Sequence, residues 1–419
     1  MILVPAEAEK NTRDVTVARG PFVVPGFRVS AVDSEMRYTG RPDLALIVAD
    51  PQEGATAAGV FTTNQFCAAP VMVCEEHLRA SSTTKAILVN AGIANACTGK
   101  TGLLRARETA RLVAGALDVR PEKVLVASTG VIGQQIRVEA VAGSLQKLVD
   151  GLQADGWDRV AQSIMTTDTV PKFANTRVQI GERVVTLGGV AKGAGMIAPN
   201  MATLLAFVCT DAAIEKDVLE DCVRAAADAS FNAITIDGDT STNDTLLVLA
   251  GGVAGNPVIA DRDSSEGRLF GAALKAVLLD LAKQIVMDGE GATKLIEIRV
   301  SGALDEASAR LVAFTVANSP LVKTAFFGED ANWGRIVAAA GRAGVHLIPE
   351  RVALYFSGLC VFREGTPIGD QETEEKASRI FREKEIAVNL DLGLGDSSFT
   401  TYTCDFSYDY VKINASYRS

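Results

Sequence analysis

A threonine set in a long stretch without charge is the most chemically suggestive feature of this sequence. Residues 193–210 contain no Asp, Glu, Lys or Arg, and in Lys192-Gly-Ala-Gly-Met-Ile-Ala-Pro-Asn-Met-Ala-Thr203 a Gly/Pro/Asn stretch runs directly into apolar Leu204-Leu-Ala-Phe207. If the Ala202–Thr203 bond breaks, Thr203 becomes a new N-terminus whose hydroxyl is the nucleophile and whose own amine serves as base. Such a centre needs no histidine, which suits a chain with only two. The plain alternative is a threonine heading a buried strand after a glycine turn, and local pattern alone favours that alternative.

Other chemistry is less well supported. Lys192 follows Gly188-Gly189, but a phosphate-binding loop requires GxxxxGK[ST] and Lys192 is followed by Gly193. Asp237-Gly-Asp239-Thr-Ser241-Thr-Asn243 imitates the oxygen-rich start of a calcium loop, yet Thr242 stands where glycine is needed and Val248 where a bidentate glutamate is needed. A hydrogen-bonded turn supporting an active site is the expectation there. His77 and His346 lie at no ligand spacing and are expected to be surface or satisfied structural residues. Ser128-Thr129-Gly130, after the apolar run 124–127, reads by itself as a strand-to-loop turn.

The elements that must position Thr203 follow from the hydropathy pattern. Strand-like runs at 44–48, 86–89 and 124–127 alternate with helical patterns at 103–117 and 138–152, which predicts an α/β lobe. Residues 176–190 predict a hairpin turning at Gly181-Glu182. Beyond Thr203 the rhythm resumes with strand 204–209, helix 216–229, strands 233–236 and 246–249, and a long helix carrying Phe270, Leu274, Val277, Leu278, Leu281 and Ile285 at three- and four-residue spacing. The last third mixes helices at 306–314 and 333–341 with strands at 352–356, 386–390 and 400–404, and no linker composition sets it apart. Residues 1–20, polar and without periodicity, are expected to form a loose arm.

Composition narrows the class of function. A chain of 419 residues, 48% hydrophobic with 37 glycines, can bury a large core, and 6% aromatics leave Ala, Val, Leu and Ile to fill it. A net charge of −10 without a Lys/Arg cluster argues against nucleic acid as a partner and favours small substrates. Seven cysteines, odd in number and without a CxxC pair, suit reduced thiols in a cytosol. The start Met1-Ile-Leu-Val-Pro-Ala-Glu-Ala-Glu-Lys10 lacks the pattern of an export signal, so a cytoplasmic location is expected. The uncharged run at 193–210 is interrupted by Pro199, Asn200 and two glycines, which favours a buried turn and strand over a membrane span.

Taken together, the motifs resemble those of the ornithine acetyltransferases, also called glutamate N-acetyltransferases, of arginine biosynthesis. Besides the segment ending at Thr203, the similar blocks are Gly59-Val-Phe-Thr-Thr-Asn64, Asn90-Ala-Gly-Ile-Ala-Asn95, Ser128-Thr-Gly-Val-Ile-Gly133, Met165-Thr-Thr-Asp-Thr169, Asp237-Gly-Asp-Thr-Ser-Thr-Asn-Asp244, Asp288-Gly-Glu-Gly-Ala-Thr293, Gly328-Glu-Asp-Ala-Asn-Trp-Gly-Arg335 and Tyr410-Val-Lys-Ile-Asn-Ala-Ser-Tyr-Arg-Ser419. They occur in the family's order and cover the chain from about residue 22 to its end.

The resemblance implies a nucleophile at Thr203, self-cleavage of Ala202–Thr203, and an oxyanion hole at Thr129 and Gly130. It implies an amino-acid pocket lined by Lys192, Thr166 or its neighbour Thr167, and Thr203, with Glu290, Asn414 and Ser419 completing it. A lysine suits an α-carboxylate and a glutamate suits the side-chain amine of ornithine. The family usually ends in threonine where this chain has Ser419, so the hydroxyl is kept. The implied substrates are N2-acetyl-L-ornithine and L-glutamate, with no metal or nucleotide cofactor; some members also accept acetyl-CoA, which makes it a second candidate donor.

The implied fold is a layered α/β structure of sheets and helices, of the ornithine acetyltransferase and N-terminal-nucleophile-like aminopeptidase type. An α fragment of residues 1–202 and a β fragment of residues 203–419 would stay intertwined and pair as an α2β2 heterotetramer, so the cut is no domain boundary. Two other readings stand beside this one: an N-terminal-nucleophile aminopeptidase, and a non-catalytic binding module in which the glycine-rich segments are only turns.

Overall fold

The computed structural model describes residues 15–198 and 204–416, which fall into two compact units. Of the described residues, the first comprises 15–193, 204–232 and 240–282, and the second 194–198, 233–239 and 283–416. Ala202, Thr203 and Ser419 lie outside the described residues.

Among the described residues the first unit contains ten strands: β1 (Phe27–Val32), β2 (Leu44–Ala49), β3 (Ala55–Phe61), β4 (Thr83–Thr84), β5 (Ala86–Ile93), β6 (Val124–Val131), β7 (Lys172–Ile180), β8 (Arg183–Lys192), β9 (Leu205–Thr210) and β10 (Thr245–Ala250). Its helices are α1 (Ala69–Ala80), α2 (Gly99–Ala116), α3 (Val138–Asp150), α4 (Trp157–Ser163), α5 (Lys216–Asp228) and most of α6 (Ser265–Met287). The strands form a four-stranded sheet in the order β1-β2-β5-β6 and a six-stranded sheet in the order β4-β3-β10-β9-β8-β7.

The layering follows from period-two patterning. Strand β2 is apolar and buried on both faces. Its Ala45, Ile47 and Ala49 join Val190, Leu205, Phe207, Leu247 and Leu249 in a core between the two sheets. On the opposite face Leu44, Leu46 and Val48 pack with Val73 of α1, Ala110 and Val113 of α2, and Val141 and Leu148 of α3. A strand buried on both faces reads as a continuous apolar run, which is why 44–48 stands out in the sequence. Helix α5 packs against β3. The apolar stripe of α6, from Phe270 to Ile285, is buried throughout.

The second unit is built on a six-stranded sheet, order β14-β13-β12-β15-β11-β16, from β11 (Leu295–Ala303), β12 (Ala353–Phe356), β13 (Leu359–Arg363), β14 (Thr366–Pro367), β15 (Glu385–Asp391) and β16 (Ser397–Cys404). Helices α7 (Glu306–Ala317), α8 (Pro320–Phe327), α9 (Trp333–Gly341), α10 (Gln371–Ile380) and α11 (Tyr408–Ala415) accompany it. Ile296, Ile298 and Val300 of β11 meet Ala309, Val312, Ala313 and Val316 of α7 in the core of this unit. Asp305, Asn332 and Asp370 cap α7, α9 and α10 by accepting from backbone N–H groups of their first turns, which explains where these helices begin.

Mixed α/β layers and the hairpin agree with expectation. Strands β7 and β8 pair from Lys172↔Ala191 to Ile180↔Arg183, with Gly181 at φ +59 in the two-residue loop. Two local expectations need correction. Residues 233–236 form no strand but one bridge from Ile234 to Tyr402, because Thr235 N–H bonds Tyr402 O while Ile236 N–H turns to Ile197 O. Ser128-Thr129-Gly130 is not a loop after β6 but part of it, paired in parallel with Asn90-Ala91-Gly92. Of the arm expected at 1–20, residues 15–20 are described, and Ala18 exchanges both backbone hydrogen bonds with Asn175 while Arg19 pairs with Asp280 at 2.7 Å.

Candidate active site

Strand β8 ends at Lys192, directly opposite Leu205 of β9 in the antiparallel ladder, so residues 193–204 link two neighbouring strands. The Lys192 side chain is only 3% exposed. Its Nζ donates to Thr166 Oγ1 at 2.7 Å and to Thr129 Oγ1 at 3.2 Å. Three residues from distant parts of the sequence thus meet through one ammonium. Thr167, one residue on, is half-buried.

The cation is held by a carboxylate that sequence reasoning did not single out. Asp168 accepts from Lys172 Nζ at 2.7 Å, from Gly193 N–H at 2.7 Å and from Thr166 N–H at 3.0 Å, with Lys192 Nζ at 3.9 Å. Burial alone would push this carboxyl up, but Lys192 and Lys172 together with the hydrogen bonds hold it well below the usual carboxylate range. One ionised group therefore anchors Thr166, Lys192 and the first residue after β8. A signal for it existed in the sequence: β7 alternates with its even-numbered residues buried, and Lys172 occupies that inward phase. A lysine on an inward phase calls for a buried partner.

Gly130 of β6 pairs with Gly92 of β5. Its φ is +130, and a Cβ there would lie 2.2 Å from the carbonyl carbon of Gly92, so no larger residue fits. Thr129 beside it is buried. The neighbouring Asn243 donates from Nδ2 to Ser128 O at 2.8 Å and Ala94 O at 2.6 Å. Asp244 accepts from Leu204 N–H at 2.9 Å. Both belong to the Asp237–Asp244 motif, whose expected role was a hydrogen-bonded turn.

The second unit carries the remaining described candidates. Glu290 follows the end of α6, is buried, and accepts from Asn414 Nδ2 of α11 at 2.8 Å through Oε2. Its backbone N–H bonds Ala194 O at 2.8 Å. A Cβ on Gly195 would come within 2.5 Å of Glu290 Oε2, so this glycine leaves room for the carboxylate. Asp237 accepts from Met196 N–H at 2.6 Å and Ile197 N–H at 2.8 Å, which ties down the segment before residue 199. Among the described residues no cluster of three or more His, Cys, Asp or Glu could hold a metal ion. His77 Nδ1 is satisfied by Val124 O at 2.7 Å, and His346 is exposed.

Chemically, the first unit offers a buried cation beside two hydroxyls at the end of a strand, and the second offers a buried carboxylate with an amide partner. The first suits an anionic group and the second a cationic one.

A family model described as the ArgJ family matches residues 28–419. The arginine biosynthesis bifunctional protein ArgJ of Geobacter sulfurreducens is 50% identical over 397 residues, which is 94% of this chain and 100% of the relative. Its counterpart of the same name in Desulfotalea psychrophila is 50% identical over 396 residues, again 94% and 100%. Among solved structures, the arginine biosynthesis bifunctional protein of Bacillus halodurans is similar with 39% identity and a TM-score of 0.47, over 49% of this chain and 95% of that one. Ornithine acetyltransferase of Mycobacterium tuberculosis, complexed with ornithine, is similar with 34% identity and a TM-score of 0.42, over 46% and 100%.

Proposed function

The chain belongs to the ArgJ family of arginine biosynthesis enzymes, and from that premise we propose that it moves an acetyl group from N2-acetyl-L-ornithine to L-glutamate on Thr203, after cutting its own Ala202–Thr203 bond. In the precursor the Thr203 hydroxyl attacks the Ala202 carbonyl, the acyl group passes from nitrogen to oxygen, and water hydrolyses the ester. In the mature enzyme the freed amine takes the hydroxyl proton as Oγ attacks the acetyl carbonyl. Collapse of the adduct expels the α-amine of ornithine with that proton and leaves acetyl-Thr203. The α-amine of glutamate then attacks the ester and restores the hydroxyl.

The observation that carries this reading is Lys192: a buried ammonium at the end of β8, opposite Leu205, with Thr129 and Thr166 on its Nζ. It supplies charge for an α-carboxylate beside the strand end that supplies oxyanion donors, where removing one donor costs about 3–4 kcal/mol. Glu290 supplies the opposite charge for the ornithine side-chain amine, with Asn414 on its Oε2. Ser419, outside the described residues, is proposed to lend its hydroxyl to substrate binding.

A cut at Ala202–Thr203 leaves β8 in one fragment and β9 in the other, and their ladder supports a nicked but intertwined product. We extend the proposal to an α2β2 assembly, to reactions without metal or nucleotide cofactor, and to acetyl-CoA as a second donor. A cytoplasmic location fits a biosynthetic enzyme in which no described helix is long and apolar enough to cross a membrane.

Intact-mass measurement before and after addition of acetylornithine tests both steps. Two fragments, 1–202 and 203–419, and an acetyl adduct confined to the second are expected. An uncut chain that still transfers acetyl, or robust peptide hydrolysis without transfer, would overturn the reading.

A further inference from the structure

Asn243 and Asp244 are adjacent at the head of β10, and their side chains grip two different strands. The Asn243 amide donates to Ser128 O and Ala94 O at 2.8 and 2.6 Å, holding β6 one residue before Thr129. Asp244 Oδ1 accepts from Leu204 N–H at 2.9 Å, while Thr245 N–H bonds Leu204 O at 3.1 Å. Residue 204, covalently next to Thr203, is therefore held at both of its peptide groups.

We propose that Asn243 and Asp244 form a positioning pair that sets the distance between Leu204, the chain neighbour of Thr203, and the Thr129–Gly130 end of β6. The inference rests on the acetyl-Thr203 reading above and assigns it a part that lies outside substrate contact. Acyl transfer between a nucleophile and an oxyanion hole tolerates little error, since a displacement of about 1 Å can cost about 100-fold in rate. Two consecutive residues suit this task because a single planar peptide links the two grips.

Each side chain is itself oriented. Thr242 Oγ1 donates to Asn243 Oδ1 at 2.6 Å and Ser241 Oγ accepts from Asn243 N–H at 3.1 Å, which leaves the Asn243 NH2 for the two carbonyls. An aspartate at 243 would set oxygen against oxygen. Asp244 is fully buried, and its Oδ2 has no hydrogen-bond partner among the described residues. Burial pushes its carboxyl well above the usual range, against the hydrogen bond from Leu204 N–H and the Lys192 ammonium. Asp244 acts on Leu204 only as an acceptor, and an asparagine carbonyl oxygen would offer the same acceptor.

The test is the rate at which acetylornithine loads acetyl onto the 203–419 fragment, followed by intact mass in wild type, Asn243→Ala, Asn243→Asp, Asp244→Ala and Asp244→Asn, with thermal melting alongside. Asn243→Asp and Asp244→Ala are expected to slow both cleavage and loading by about 100-fold, with the acetylornithine KM of any cleaved enzyme within a few-fold of wild type. Asp244→Asn is expected to recover most of what Asp244→Ala loses. Should Asn243→Asp fail to fold, Asn243→Ala removes the same donors without adding charge. The proposal is overturned if folded Asn243→Ala or Asp244→Ala loads acetyl at the wild-type rate, or if Asp244→Asn performs no better than Asp244→Ala. A wild-type chain that forms no adduct at all overturns the acetyl-Thr203 reading, and the pair's role falls with it.

Discussion

Lys192 and Thr129 are joined by a hydrogen bond of 3.2 Å between side chains 63 residues apart, and the same ammonium reaches Thr166 at 2.7 Å. The residue proposed to meet a carboxylate thus also orders the hydroxyl of Thr129, on the strand proposed to carry the oxyanion donors. Replacing Lys192 by methionine keeps much of the apolar stem and removes these charged hydrogen bonds, each worth about 1.5–3 kcal/mol. Acetyl transfer should fall by about 10- to 150-fold in kcat/KM, read from steady-state kinetics. A loss below about three-fold would remove Lys192 from the site.

Asp168 is the hub beneath that lysine, so its charge matters for stability. Asp168→Asn leaves Lys172 and Lys192 without their buried counter-ion and should cost about 3–5 kcal/mol in denaturant unfolding at pH 7. The folded pKa is depressed, so the stabilisation is fully present above the unfolded value of about 4 and drains away as pH falls below it. Wild type should therefore lose stability more steeply than Asp168→Asn between pH 4 and lower values. Parallel acid titrations of both proteins, showing equal slopes, would contradict this.

Gly130 has no space for a methyl group, since its ideal Cβ position is 2.2 Å from Gly92 and its φ is +130. Gly130→Ala must push β5 and β6 apart, and a cost of about 1–3 kcal/mol is expected together with weakened transfer. Gly143 in α3 provides a control, because nothing lies within 4 Å of its Cβ position. Alanine there should raise the melting temperature by an amount equivalent to up to about 1 kcal/mol.

Glu290 and Gly195 should behave as one feature. Glu290→Gln keeps the shape and the Asn414 contact but removes the charge, and is expected to raise the KM for acetylornithine by about ten-fold. Gly195→Ala places a carbon where the Glu290 carboxylate lies and should reproduce that increase. Kinetics in which only kcat changes would assign both residues a different role.

Thiol chemistry offers an independent check on burial. All seven cysteines are free, and Cys97 alone is exposed. Burial pushes the Cys74 thiol up to about 12 and Cys67 up to about 11. Iodoacetamide at pH 8 should label Cys97 first in the folded protein, as located by peptide mass mapping. Early labelling of Cys74 or Cys209 would mean that the cores open readily.

The elements best legible in the sequence are those whose pattern is local. Residues 333–341 form α9 with the bounds expected, and the two-residue loop at Gly181-Glu182 closes the β7–β8 hairpin as its glycine predicts. Residues 233–236 misled because Ala-Ile-Thr-Ile, with two β-branched isoleucines flanking a threonine, resembles a strand, whereas its hydrogen bonds go to two unrelated partners. The strand character of Thr129-Gly130 was likewise hidden, since a Thr-Gly pair reads as a turn until Gly92 supplies its partner.

By itself the sequence determined the α/β class, the order of most elements, and the motif set that places the chain in its family. Lys192, Thr129, Thr166, Glu290 and Asn414 came from that motif set, and their types announce their chemistry. Only the tertiary structure decided that Lys192 meets Thr129 and Thr166, that Asp168 holds it there, and that Asn243 and Asp244 grip β6 and Leu204. The reason is physical: helix and strand patterns record which face of an element is buried, over a few residues. Hydrogen-bond partners separated by 26 to 115 positions depend on how whole strands stack, and no local pattern carries that information.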